Sequence, residues 1–126
     1  MEIGIALRNI IIDDADITAL VSTRVYPSTL PQDPTLPALT VGEISFPMEP
    51  LIDLAYPRYQ LTVWADSDAS RDAVGRAILY CLQRWKGTQD GIRIEQITFL
   101  NKMKLKDPET GRLTMPMDFQ VNYREE

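Results

Sequence analysis

The chain of 126 residues has no histidine, one cysteine, six glycines and no long apolar run. Each shortage closes off a class of function. Histidine is the side chain whose ordinary pKa lets a proton move on and off near neutrality, and without it no Ser-His-Asp or Cys-His arrangement fits within one chain. The lone thiol, Cys81, excludes an internal disulfide framework and, with histidine absent, leaves no zinc ligand set. The glycines are scattered at positions 4, 42, 75, 87, 91 and 111, so no glycine-rich loop is present to cradle a phosphate. No stretch approaches the roughly 18 apolar residues that span a bilayer. The start of the chain, Met1 to Arg8, lacks the basic region and apolar core of a signal peptide. Composition therefore points to a soluble protein made in the cytoplasm, with no cofactor, no metal and no membrane, and not to an enzyme.

What is present suits one domain over residues 1–126. A chain of this length buries roughly two-thirds of the surface its unfolded form exposes, enough for a core without staples. Net charge is −5, so a general basic patch for DNA is not expected, although a protein that DNA merely passes is compatible with it. Carboxylate pairs Asp13/Asp14, Asp66/Asp68 and Glu125/Glu126 fall at helix starts or at the terminus, where solvation and the helix dipole account for them. The trio Asp13, Asp14 and Asp16 lacks the glycine and closing glutamate of a calcium loop and reads as capping.

Periodicity sets the elements. Ile3, Leu7, Ile10 and Ile11 predict a helix over 2–12, and Asp14 or Asp16 is placed to cap a short second one carrying Ile17, Leu20 and Val21. Seven of the nine prolines lie between Arg24 and Pro57, which makes 27–37 an extended connector. Ala38–Phe46 and Arg58–Ala65 alternate as strands. The main helix is expected over 69–86, capped by Asp66, Ser67 or Asp68 and ended by Gly87. Its apolar stripe is Val74, Ala77, Ile78, Cys81, Leu82 and Trp85, with Arg71, Asp72, Arg76, Gln83 and Arg84 toward water. Cys81 has no nearby cation or helix start to activate it and reads as packing. Residues 91–105 form a bulged strand, since Ile92 and Ile94 share one parity and Ile97 and Phe99 the other. Asp107-Pro-Glu-Thr-Gly111 turns it back along the strongest pattern in the chain, Leu113, Met115, Met117, Phe119, Val121 and Tyr123 alternating with polar residues. Pro116 within that strand calls for an edge or a bulge. The expected class is α+β: a mostly antiparallel sheet of about four strands, with helices packed on one face.

Two surfaces have no partner in this scheme. The loop 47–57 is apolar at Leu51, Ile52, Leu54 and Tyr56, and either folds back on its own domain or contacts a partner. Lys102, Lys104, Lys106 and Arg112 cluster at the tip of the last hairpin, either as a solvated end or as a patch for an acidic partner.

Taken in order, Leu7-Arg8, Ile17 to Pro27, Leu30-Pro-Gln32, Leu36 to Ser45, Tyr59 to Ala65, Asp107 to Arg112 and Met117 to Tyr123 resemble the tail completion (tail terminator, head-to-tail joining) family of long-tailed bacteriophages. The likeness extends over almost the whole chain; the apolar loop 47–57 is the part that does not match. The resemblance implies a structural virion protein that forms a homo-oligomeric ring, commonly a hexamer, at the head-proximal end of the tail. Such a ring contacts the tail tube protein on one side and the head–tail connector proteins on the other. Genomic DNA passes through its lumen without specific binding. The alternatives of the same kind are a head-completion adaptor and a tail-tube or minor tail protein. The family brings no catalytic residues to carry over.

Overall fold

A computed structural model describes residues 3–45, 48–49 and 54–125. Its helices are α1 (Ile3–Ile12), α2 (Ala15–Val21) and α3 (Asp68–Arg84). Its strands are β1 (Val25–Pro27), β2 (Ala38–Ser45), β3 (Met48–Glu49), β4 (Leu54–Ala55), β5 (Arg58–Ala65), β6 (Gly87–Gln89), β7 (Ile92–Lys102), β8 (Leu105–Lys106) and β9 (Leu113–Glu125).

The helices follow their apolar spacing and their caps. Ile3, Ala6, Leu7, Ile10 and Ile11 bury one face of α1. Asp14 starts α2 by accepting hydrogen bonds from the amides of Asp16 and Ile17, both at 3.0 Å. Ser67 starts α3, its hydroxyl accepting from the Ser70 amide at 3.2 Å. The buried line of α3 is Arg71, Val74, Gly75, Ile78 and Leu82, so it is rotated from the expected stripe; Ala77, Cys81 and Trp85 are only partly covered. Gly75 permits this rotation, because a Cβ there would run into the end of the Met115 side chain on the sheet. Gly87 does not end the helix. Trp85 closes α3 in an extended conformation, and Gly87, at φ 134°, opens β6.

β9 is the spine of the sheet. On one border it pairs with β5, from Ala65↔Leu113 to Arg58↔Gln120, and then with β4 at Ala55↔Tyr123. On the other it pairs with β7, from Lys102↔Met117 to Ile92↔Glu125, and with β8 at Leu105↔Thr114. β2 lies antiparallel outside β5, β1 parallel outside β2, β3 outside β4, and β6 outside the start of β7. The sheet is therefore larger than the expected four strands, and mixed. The additional strands β1, β3, β4, β6 and β8 are two or three residues long, too short for alternation to show in the sequence. β1 is parallel because the proline-rich connector returns the chain to the start of β2 before it pairs.

The bulges expected in β7 are present, between Ile94 and Gln96 and between Phe99 and Asn101. Each extra residue flips the parity, which keeps Ile92, Ile94 and Ile97 buried and brings Phe99 to 5.5 Å from Phe119, ring centre to ring centre. Pro116 sits in a central strand. Its missing donor falls in the gap between β7 and β8, where its carbonyl accepts from the Met103 amide at 3.1 Å.

α1 shows how far the sheet curls. Arg8 Nε donates to the Val25 carbonyl of β1 at 2.9 Å, and the adjacent Asn9 donates to Asp90, in the turn after β6, at 2.8 Å. Laid flat, the pairing ladder would separate Val25 from Asp90 by roughly 40 Å, at about 4.8 Å per strand and 3.3 Å per residue. Two neighbouring helix residues span no more than about 20 Å with extended side chains. The sheet is wrapped around α1, and one cluster of buried residues from all three helices and the inner strand positions fills it.

Two expectations follow. Asp14→Ala removes the α2 cap and lowers unfolding stability by about 1 kcal/mol in urea titration. Cys81 is half-buried, and burial, followed by the nearby Asp14 carboxylate, pushes its thiol up to about 12. Native protein at pH 8 is thus expected to alkylate far more slowly than urea-unfolded protein. Because the folded state holds this proton longer, the associated stability is present below the ordinary thiol range and declines as pH rises toward 12.

Candidate assembly surfaces

The tip of the last hairpin is built by a locally satisfied turn. Asp107 Oδ1 accepts from the Glu109 amide at 3.1 Å and Oδ2 from the Thr110 hydroxyl at 2.7 Å. The Asp107 amide donates to the Arg112 carbonyl and the Gly111 amide to the Asp107 carbonyl, each at 2.8 Å, with Gly111 at φ 73° as the turn requires. The Thr110 hydroxyl and then the Glu109 amide hold the Asp107 carboxyl below the usual carboxylate range.

Arg71 ties this hairpin to α3. It is only 6% exposed. Nη1 donates to the Leu105 carbonyl at 3.1 Å and lies 3.5 Å from the Thr114 carbonyl, while Nη2 meets Asp68 at 2.6 Å. A residue placed on the wet side by helical spacing is instead a buried bridge between helix and hairpin. The spacing did hold the signal, since Arg71 lies three residues before Val74 and four before Gly75 on the packed face.

The sequence candidates fall into two separate groups. Lys102 ends β7 and is exposed, Lys106 is exposed on β8, and Arg112 is partly covered at the base of the turn. Lys104 is committed to its own molecule, with Nζ 2.9 Å from Asp72 Oδ1, and it holds that carboxyl below its usual range. Interleaved with the lysines are three apolar side chains that charge alone did not flag: Leu100, Met103 and Leu105, exposed to 41%, 54% and 45%. The register places Lys102 and Lys106 on the helix-bearing face, opposite Met117 and Leu113, and Leu105 on the outer face, opposite Thr114. β6 covers β7 only as far as Ile94, so among the described residues no strand pairs with the outer border of 96–102.

Of the loop candidates, Leu51 and Ile52 lie outside the described residues. Leu54 belongs to β4 and pairs with Glu49, and Tyr56 follows it half-buried. The structure does not bring Leu54 or Tyr56 to the lysine tip, since β4 pairs near Tyr123 and β8 with Leu113 and Thr114. The outer sheet face between them is polar, organised by Asp118, which accepts from Gln60 at 2.9 Å and faces Arg58 at 3.4 Å. Among the described residues no acidic, cysteine or histidine group is arranged to hold a metal, and no helix is long and apolar enough to cross a membrane.

The sequence model of the family described as "Tail completion protein gp17" matches residues 5–124. No curated protein matches the chain. Among solved structures, a chain of the "Virion of native gene transfer agent (GTA) particle" is similar, with a TM-score of 0.80, 19% identity, and coverage of 95% of this chain and 92% of that one. At that identity the likeness is one of fold.

Arg71→Met removes charge-assisted bonds from two main-chain carbonyls, the Thr114 one buried and the Leu105 one partly so, and is expected to cost about 2 kcal/mol of stability. Hydrogen exchange should show the loss locally, with amides of residues 103–106 and 113–115 exchanging faster than those of β5.

Proposed function

This chain belongs to the tail completion protein gp17 family, and on that premise we propose that it forms a ring at the head-proximal end of a phage tail. In this reading residues 1–126 are one domain, and copies of it, six in the ring, end polymerisation of the tail tube. The ring then presents its opposite side to the head connector. The coarser statement, that this is a structural, tail-related virion protein of the bacteriophage type, follows from the family itself.

The observation that carries the reading is the extent of the family match, which takes in both borders of the sheet and the spine between them. The physical character of those borders supports a ring. A closed ring needs two unlike, complementary patches on each subunit, because a heterologous contact closes on itself only when the two sides differ. Among the described residues one border carries the short strands β1 and β3, and the other the stretch of β7 beyond Ile94, with which no strand pairs. Net charge of −5 suits a lumen through which DNA slides without sticking.

The test is electron microscopy of lysates from a phage lacking this gene. Overlong or unattached tails beside full heads are expected. Empty or leaking heads with normal free tails would move the protein to the head side, as an adaptor. Normal virions would overturn the reading.

A further inference from the structure

We propose that the β7–β8 tip of one copy seats in the groove between α2 and α3 of a second copy, setting Lys102, Met103 and Lys106 against Asp16, Leu20 and Tyr80. The inference rests on the ring reading above and names the contact that joins neighbouring subunits.

The tip has the character of an unfinished interface. Leu100, Met103 and Leu105 stand exposed beside a strand border that has no partner among the described residues. An exposed apolar strand border is a template for another chain. The tip is also held in place, since Arg71 pins the Leu105 carbonyl to α3 and Lys104 meets Asp72 on the same helix. A contact made there loses little conformational entropy.

The groove is its complement in charge and in apolar surface. Asp16 of α2 and Ala73, Arg76, Ala77 and Tyr80 of α3 line it. Tyr80 is exposed there, as is Leu20, one turn after Asp16 on α2. Between Gln96 and Lys106 the charged residues are Lys102, Lys104 and Lys106 alone, and between Asn9 and Thr23 they are Asp13, Asp14 and Asp16 alone. Lys104 is taken up by Asp72 and Asp14 by the start of α2. Lys102 and Lys106 on one side, and Asp13 and Asp16 on the other, are exposed and in no ion pair among the described residues. Within one molecule α3 keeps the two patches apart. Asp72, Gly75 and Leu79 line the recess beside Lys102 and Lys104, while Ala73, Ala77 and Tyr80 lie about 130° further around the helix. Arg76 stands on the crest between them and borders both. Unlike patches on the two flanks of one helix join each copy to the next in a constant direction, which is how a heterologous contact closes a ring.

The test is sedimentation velocity of the full chain with charge reversals on each flank. The wild type is expected to self-associate at concentrations up to about 100 µM. Lys102→Glu with Lys106→Glu should weaken association at least about tenfold, and so should Asp13→Lys with Asp16→Lys, since each sets like charges against each other. The variant carrying all four changes should recover it, which a merely misfolded chain would not do. Diluted to the monomer, all variants should keep the wild-type thermal unfolding midpoint. Asp16→Lys gives up a favourable place in the first turn of α2, and Asp13→Lys gains one just past the end of α1. A wild type that stays monomeric, reversals without effect, or weakening that the fourfold variant does not reverse would each overturn the contact. Sedimentation reads the contact and the gene deletion reads the tail, so failure of either inference is seen separately.

Discussion

Everything in this fold depends on the register of β9. Its odd-numbered residues Met115, Met117, Phe119 and Val121 are all at most 1% exposed, and its even-numbered ones face out of the sheet toward the polar side. A slip of one residue would exchange the two faces along the whole strand. Because β9 is paired on both borders, the same slip would displace β4 and β5 on one side and β7 and β8 on the other. The bulges in β7 are adjustments to that register. They let a strand with its own irregular pattern follow a partner whose alternation is strict.

The wrapped sheet solves a second problem, that of its own borders. Around α1 the β1 border is blocked: Arg8 occupies the Val25 carbonyl, and Pro27 has no amide to offer. Among the described residues the middle of β7 has no such cover. A protein that blunts one border and leaves another bare distinguishes between them, and that asymmetry is what separates directed assembly from indiscriminate strand pairing.

Much of this was legible in the sequence where patterns were long. β9, β5, the body of α3, the Asp14 cap, the β7 bulge and the Asp107–Gly111 turn were all readable from spacing and turn chemistry. The short strands were not, because two or three residues carry no period, and with them went the mixed character of the sheet. Arg71 was misplaced because a charged residue on a helix is read as solvated unless its partners are known, and those partners are main-chain carbonyls 34 and 43 residues away. The tip was read as charge alone. Leu100, Met103 and Leu105 lie inside the expected strand 91–105 without a pattern that assigns them a face, and only the pairing of β7 among the described residues shows them exposed.

The position of β9 along the chain also sets a timetable. Its pairs with β5 join residues 48 to 62 positions apart, so the central ladder closes only after a large loop has been ordered, which places folding toward the slow end for domains of this size. Until β9 docks, neither the β4 hairpin nor the β7–β8 tip has the strand that holds it at its end of the molecule. The two ends thus become available together, and only on a finished subunit. An incompletely folded chain therefore lacks both ends at once.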